Sequence, residues 1–378
     1  MGAKLSKKQV ETQGELRLVI SSIGTATPRT LGVVANGLSI STHQLADAVY
    51  RAPAIIAKDL SQDLADGLAD LLAKLGYEVK ILGPEDNFSR PKERLDISVY
   101  VEDASNVTAV AEQLTKFLGV PHDQVMSLLC APLGVVIGAV TQPTVDALSE
   151  RLKGLADVRG SDADAARYTL FLEGIPDEHK RRQAILKDLE PFGVTELGIG
   201  VLAENLERKE ALKIWTRHAG SGALRVINED FLRFDMNLQS APEHLTPTQY
   251  AEIVQITAIP EQHVKAVLAH APVTLLEALP RDEMSRIEDK LTQLGLSIEA
   301  DMISFLHMGI QINSAPNQEK LSKLLSELGL EFDQKALPKT PFILPYAMPD
   351  LKARIMEYLC LSKGVKVELI DARLLENA

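Results

Sequence analysis

The chain has 378 residues, of which 46% are hydrophobic and only 4% aromatic, and it carries a formal net charge of -12. This length exceeds one ordinary hydrophobic core, so we expect two to five domains. The negative charge repels phosphate backbones and aromatic stacking platforms are scarce, so the composition argues against broad nucleic-acid binding. The sequence holds no run of 18 apolar residues, so it predicts no transmembrane helix.

The cysteine content and the first residues indicate a cellular compartment. Two isolated thiols, Cys130 and Cys360, argue against a disulfide scaffold and fit a reducing environment. The chain start has no signal-peptide apolar stretch before Glu11. We therefore predict a cytoplasmic protein. The stretch MGAKLS also fits the myristoylation pattern, with Gly2 as the residue that would be modified.

In chain order, the first predicted elements are a strand, two short helices, a second strand, a long helix and a third strand. They read LRLVISS, TLGVVANGL, STHQLADAVYRA, PAIIAKDL, SQDLADGLADLLAKLG and YEVKIL. The long helix has leucines at helical spacing, which predicts a single apolar face; they are Leu64, Leu68, Leu71, Leu72 and Leu75.

The same order of elements recurs four more times along the chain. Period-two strands begin each recurrence, as DISVYVE, YTLFLEG, RFDMNLQ and ISFLHMGIQI. The second helix recurs in the second and fourth copies but is shortened or lost in the third and fifth. The predicted N-caps of the long helices include Ser61, Thr141 and Asn205.

A fixed spacing supports the repeat. A proline or glycine opens each middle strand, at Pro53, Pro132, Gly200, Pro272 and Pro341. A branched residue of the last strand follows 26 positions later in every copy, at Val79, Val158, Val226, Ile298 and Val367. A recurring period of 68 to 79 residues is typical of repeated structural units.

These observations predict an α/β (α+β) protein made of tandem repeats, each a three-stranded sheet covered by helices. The predicted bounds are module 1 at 14–83, a linker at 84–95, module 2 at 96–160, module 3 at 166–228, module 4 at 231–301 and module 5 at 303–372. Because the stretch GPEDNFSRPKER is polar with two prolines, we expect a semi-flexible linker and a loose first module.

The module resembles the C-terminal domain of the bacterial ribosomal stalk protein. That family pairs two helices ending in Ala-Pro with a strand, a long charged helix, a glycine and a last strand; the junctions here are Ala52-Pro53, Ala131-Pro132 and Ala271-Pro272. The chain start does not resemble the dimerising helices of the stalk protein, so this is not that protein itself.

The resemblance implies binding of translation GTPases through lysines of the first two helices. Lys265 of module 4 occupies such a position, whereas module 1 places His43 there. We select Lys265, His263, His43 and Arg51 as candidate partner-binding residues.

The sequence predicts no catalytic, cofactor or metal site. The glycines of GIGVLA at 198–203 fall in the middle strand of module 3 and do not follow a buried strand. His263 and His270 lie two turns apart on one predicted helix, too far apart to share a metal without a third ligand. Our leading hypothesis is a non-enzymatic scaffold or adaptor that binds protein partners or assembles with itself. The alternatives are a recruiter of a GTPase and an enzyme with a site formed between modules.

Overall fold

The computed structural model describes residues 14–173, 179–197, 200–304, 306–327 and 339–372. These residues form an α+β fold of 13 α-helices and five small sheets of three or four strands, the predicted fold class. Unit 1 comprises the described residues up to Ile97, Thr108–Met126 and Val136–Gly160, and unit 2 comprises Ser98–Val107, Ser127–Val135 and those from Ser161 onward. No helix within the described ranges is long and apolar enough to cross a membrane.

The stretch predicted as module 1 forms one sheet with the strand order β2-β1-β3. Its elements are β1 (Leu16–Ser22), α1 (Leu31–Gly37), α2 (Thr42–Tyr50), β2 (Ala54–Leu60), α3 (Gln62–Lys74) and β3 (Glu78–Leu82). Helix α2 begins with a capping box in which Ser41 and Gln44 satisfy each other's backbone amides. Gly76 follows α3 with φ +93°, and a methyl group there would lie 2.7 Å from the Ala26 nitrogen, so this turn requires glycine.

The stretch predicted as module 2 forms a sheet with the order β5-β4-β6. Its elements are β4 (Leu95–Tyr100), α4 (Val107–Leu118), α5 (His122–Leu129), β5 (Val135–Val140), α6 (Gln142–Arg151) and β6 (Asp157–Asp162). Helix α6 follows the predicted cap Thr141. The boundary between the two units runs through this stretch of sequence.

Within unit 1, α6 packs on module 1 and holds it in place. The Arg151 guanidinium donates to the carbonyl oxygens of Gly24 and Ala26, the latter at 2.7 Å, and lies 4.8 Å from the Phe117 ring centroid. The Thr144 hydroxyl donates to the Tyr50 carbonyl at 2.9 Å. These partly buried hydrogen bonds connect module 1 to α6, in addition to the linker that the sequence predicts as semi-flexible.

The stretch predicted as module 3 forms a four-stranded sheet with the order β10-β7-β9-β8. Its elements are β7 (Arg167–Leu172), α7 (Lys180–Leu189), β8 (Thr195–Leu197), β9 (Gly200–Glu207), α8 (Arg208–His218) and β10 (Leu224–Asn228). A 3-10 turn at Glu190–Phe192 stands where other modules have a second helix. The predicted cap Asn205 is wrong: α8 begins at Arg208, behind a capping box of Glu207 and Glu210.

Modules 4 and 5 complete the described chain. Module 4 has the order β12-β11-β13 and comprises β11 (Arg233–Ser240), α9 (Pro247–Thr257), α10 (Glu261–Ala269), β12 (Val273–Pro280), α11 (Arg281–Gln293) and β13 (Ser297–Met302). Module 5 comprises β14 (His307–Ser314), α12 (Gln318–Glu327), β15 (Phe342–Ile343), β16 (Met348–Pro349), α13 (Asp350–Ser362) and β17 (Lys366–Asp371). Strands β15 and β16 both pair with β14, and Pro345, which has no amide hydrogen, lies in the gap between them.

The residues aligned by the 26-position spacing lie at matching places in four sheets. Each pairs with a fully buried aliphatic residue of the central strand: Val79 with Ile20, Val226 with Leu170, Ile298 with Leu238 and Val367 with Ile312. Val158 lies in the corresponding strand β6. The aligned residues thus occupy the same position in each of the four sheets, opposite a buried residue of the central strand.

The second strand of four modules contains a residue other than glycine in the left-handed conformation. These residues are Asp59, Ala139, Asn205 and Ala278, with φ between 53° and 63°. In modules 2 and 4 the amide of that residue donates to an aspartate of the first strand, 43 positions earlier: Ala139 to Asp96 at 3.1 Å and Ala278 to Asp235 at 2.8 Å. The aspartate carboxylate accepts the hydrogen bond of an amide that the bulge takes out of the hydrogen-bond ladder between the strands.

In module 3 the corresponding amide donates to a residue beyond the sheet. Glu229 is 2% exposed, and its Oε1 accepts from the Asn205 amide at 2.5 Å and from the Thr169 hydroxyl at 3.0 Å. Its Oε2 lies 2.7 Å from the guanidinium of Arg281, the first residue of α11. Glu229 therefore joins module 3 to the long helix of module 4.

Candidate functional site

The candidate residues of module 4 lie on the outer face of the second helix. Lys265 is exposed on α10, and its ammonium lies 5.3 Å from the ring centroid of Tyr250 on α9. His263 is exposed on the same helix, with its Nε2 3.2 Å from the Gln262 side-chain amide. Both side chains can reach a partner, and the cation–π contact orients the lysine.

The candidate residues of module 1 differ in accessibility. His43 is exposed on α2, whereas Arg51 is half-buried and donates from Nε to the Ala139 carbonyl at 2.9 Å. Arg51 also forms an ion pair with Asp47 at 2.7 Å, and Arg90 binds the same carboxylate at 2.8 Å. Burial acts to raise the pKa of Asp47, but the hydrogen bond from Arg90 and the charges of both arginines hold that pKa below its ordinary value. Arg51 thus has structural partners, and His43 is the accessible residue of the two.

A cleft in unit 2 gathers cationic side chains around one tyrosine. The guanidinium carbons of Arg233 and Arg354 lie 4.6 Å and 5.4 Å from the ring centroid of Tyr100. Arg354 donates to the carbonyl oxygens of Val101 and Glu102, both at 2.7 Å, and pairs with Asp350 at 2.8 Å. The adjoining cavity has a volume of about 70 Å³, well below the 300–1,000 Å³ typical of small-molecule sites.

Burial in this cleft raises the pKa of two side chains. Burial raises the pKa of Tyr100, although the positive charges of Arg354 and Arg233 oppose the shift. Burial likewise raises the pKa of the Cys130 thiol, which lines the cavity. A thiol held protonated is a weak nucleophile. Across the described ranges, no group of three or more histidine, cysteine, aspartate or glutamate side chains is placed to hold a metal ion.

Exposed apolar side chains form a different kind of feature on the long helices. On α3, Leu64 is 52% exposed and Leu71 53% exposed, whereas Leu72 is only 1% exposed. Leu68 and Leu75 are half-buried. The five leucines form one stripe within about 100° of the helix circumference. Leu72, at one edge of the stripe, packs on the core with Ala65, and Leu64 and Leu71 face outward at the other edge. We call the outward pair Leu64 and Leu71 the α3 face.

The long helix α8 of module 3 has the same feature. Leu212 is 40% exposed and Trp215 is 39% exposed, one turn apart, while Ala211 and Ile214 are buried. Lys209 and Lys213 are exposed beside them. We call Leu212 and Trp215 the α8 face. Sequence reasoning missed it, although one tryptophan on an otherwise charged helix was the available signal.

Module 5 carries a third pair on α13. Tyr358 is 45% exposed and Leu361 is 52% exposed, while Met356 and Cys360 are buried on the opposite side. We call Tyr358 and Leu361 the α13 face. Large apolar side chains are common singly on a protein surface, but pairs at helical spacing on one face are typical of a binding helix.

Within the described residues, the long helices of modules 2 and 4 lack such exposed pairs. The exposed positions of α6 are polar, among them Asp146 and Glu150. On α6, Leu148 and Leu152 are fully buried. On α11, Met284 packs in a cluster with Phe171 and Leu202 of module 3. The exposed pairs are therefore a feature of particular modules and not of the long helix in general.

The α3, α8 and α13 faces are identified from the exposure of their side chains in this structure. Searches against protein-family models, curated proteins and solved structures found no match to it.

Proposed function

We propose that this protein is a non-enzymatic scaffold or adaptor that binds protein partners through the outward faces of its long helices. The observation that supports the proposal is the exposure of paired large apolar side chains on α3, α8 and α13, in predicted modules 1, 3 and 5. We infer no catalytic role for the unit 2 cleft. Both cysteines are free thiols, which fits the proposed cytoplasmic setting.

The free energy gained by burying these apolar side chains favours a binding role for the three faces over a surface that stays in contact with solvent. Covering a leucine or tryptophan side chain that is half exposed gives about 1 kcal/mol at roughly 25 cal/mol per Å². One pair is therefore a weak site. Several faces on one chain raise the overall avidity without any new contact, provided that the partner can reach more than one of them.

Site-directed photocrosslinking in the native host tests the proposal. A benzophenone amino acid at Leu64, Leu212 or Leu361 should link covalently to a defined protein partner, because the reactive group would lie in the contact. The matched control is the same amino acid at Glu150, whose side chain is 77% exposed on the polar outer side of α6. Crosslinking from Leu64 should be lost in Leu71→Glu. Equal crosslinking from Glu150 and from the three faces would contradict the proposal.

A second candidate function, recruitment of a translation GTPase, depends on Lys265. Its exposed ammonium above Tyr250 offers a cationic position on the α9–α10 hairpin, as the resemblance to the stalk domain implies. Co-sedimentation with ribosomes tests it: binding should fall in Lys265→Glu and persist in the control Lys290→Glu on α11. Equal binding by the two variants would remove the support for this function.

A further inference from the structure

Two of the outward faces are flanked by charges of opposite sign. On α3 the exposed Asp63 and Asp70 lie beside the leucines, with Lys74 as the helix's only basic residue. On α8 the exposed Lys209 and Lys213 flank Leu212, and neither has an ion-pair partner among the described residues. Each face thus combines an apolar pair with unpaired charge, acidic on α3 and basic on α8.

The two helices are similar in length, and on each a row of charge runs beside the apolar pair, although the α3 pair spans two turns and the α8 pair one. Helix α3 has 13 residues and α8 has 11, so they span roughly 20 Å and 17 Å at 1.5 Å per residue. On α3, Asp63 and Asp70 are seven positions apart, as are Leu64 and Leu71, so a carboxylate row runs beside a leucine row. On α8, Lys209 and Lys213 lie four apart along one side of Leu212.

We propose that the α3 face of one copy of this chain binds the α8 face of a second copy. Apolar pairs would meet at the centre, and the aspartates of α3 would face the lysines of α8 at the rim. This inference rests on the proposed function, because it names a second copy as one partner. The contact joins different surfaces of the two copies, so it is heterologous and extends into rings or chains.

The interaction is expected to be weak and sensitive to salt. One helix pair buries less than the roughly 1,200 Å² of a stable interface, so association should appear only at high protein concentration. The rim charges are exposed, and the Debye length falls from about 10 Å at 0.1 M salt to about 3 Å at 1 M. Sedimentation velocity on the full chain should therefore show association at low salt that diminishes at high salt.

The chain contains its own reporter, because Trp215 is its only tryptophan and lies in the α8 face. Burial against the leucines of α3 should shift its fluorescence emission to shorter wavelength as the protein concentration rises. The same shift should be absent in Leu64→Glu/Leu71→Glu, whose circular dichroism should match that of the wild type because both side chains are exposed. Constant emission and a constant sedimentation coefficient over the whole concentration range would overturn the inference.

Charge-reversal variants distinguish a specific contact between α3 and α8 from nonspecific association. Asp63→Lys/Asp70→Lys and Lys209→Glu/Lys213→Glu should each weaken self-association by at least about ten-fold, because each places like charges together. A mixture of the two variants, or one chain carrying all four changes, should associate again. If the mixture and the combined chain stay monomeric while both are folded, the pairing of α3 with α8 is refuted.

The outcomes also separate this inference from the proposed function. Crosslinking from Leu64 to another copy of the chain supports both. Crosslinking from Leu64 to a different protein, with no self-association and no rescue in the mixture, removes self-assembly but leaves the scaffold. Loss of every face-specific crosslink removes the scaffold as well.

Discussion

Helices α3 and α6 are the long helices of neighbouring predicted modules in unit 1, and they differ in what lies against them. Helix α6 is buried along Val145, Leu148 and Leu152 and sends Arg151 to module 1. Helix α3 leaves Leu64 and Leu71 in solvent. Each helix buries an inner side and exposes an outer side. The outer side of α6 is polar, with Asp146 and Glu150 exposed, whereas that of α3 carries two leucines.

The same contrast occurs in unit 2 between α11 and α8. Helix α11 lies against the open face of the module 3 sheet, where Phe171 is fully buried, and Arg281 at its start reaches Glu229. Helix α8 packs only its inner side, through Ala211 and Ile214. In unit 2, α11 packs on a neighbouring module, whereas α8 and α13 both keep an outward apolar pair.

The largest expected effect is the difference in the free energy of unfolding between substitutions of two adjacent leucines of α3. Leu72→Ala should lower the free energy of unfolding by about 2–5 kcal/mol, because it removes a side chain that is 1% exposed. Leu71→Ala, at 53% exposure, should change it by less than about 0.5 kcal/mol. Urea denaturation of the two variants measures the difference. Similar losses would mean that the α3 face is already covered within the chain.

A second prediction tests the junction between module 3 and α11. Glu229→Ala should destabilise the protein by about 3 kcal/mol, because it leaves the Asn205 amide and the Thr169 hydroxyl without their acceptor in the core. Thermal unfolding provides the measurement, with Glu210→Ala in the exposed capping box of α8 as the control. A loss no greater than in the control would show that Glu229 is not what holds α11 to module 3.

A third prediction concerns two separate bulges with the same backbone conformation, at Ala139 in unit 1 and at Ala278 in unit 2. Ala139→Gly in unit 1 and Ala278→Gly in unit 2 should each stabilise the protein by about 1 kcal/mol, because glycine adopts positive φ without the penalty that alanine has. Ala266→Gly in α10 should instead destabilise it by about 1 kcal/mol. If all three variants lose stability equally in chemical denaturation, the left-handed conformation at the bulge is not present.

Much of the fold could be predicted from the sequence, because strand alternation and the 26-position spacing depend on local residue patterns. Val79 and Val367 were aligned by spacing alone, and both pair with a buried residue of the central strand. The start of α8 was placed wrongly, because Asn205 suits a cap but its amide is used by Glu229, 24 positions later. A contact of that kind depends on tertiary structure.

The candidate site was less predictable than the fold. Lys265, His263 and His43 were selected through a resemblance and are exposed, while Arg51 is engaged by Ala139 and Asp47. The α3, α8 and α13 faces were missed, because helical spacing does not show how far around each helix the buried side extends. Leu71 and Leu72 have the same side chain, and only the packed structure distinguishes them.

The smallest expected effect is a change in how stability depends on pH. It is caused by Asp235, whose carboxylate accepts a hydrogen bond from the Ala278 amide at the bulge of module 4. Burial raises the pKa of Asp235, and the neighbouring carboxylates of Glu277, Asp301 and Asp350 add to the shift, against the opposing hydrogen bond from the Ala278 amide. A carboxyl group whose pKa is raised by folding binds a proton more readily in the folded state, so its contribution to stability falls as pH rises from its ordinary value through the raised one. Asp235→Asn keeps an acceptor for the Ala278 amide but does not titrate. Its stability relative to the wild type should therefore be near zero below pH 4 and should increase toward pH 7, as measured by urea denaturation across that range. A stability difference that stays constant with pH would show that folding does not raise the pKa of Asp235.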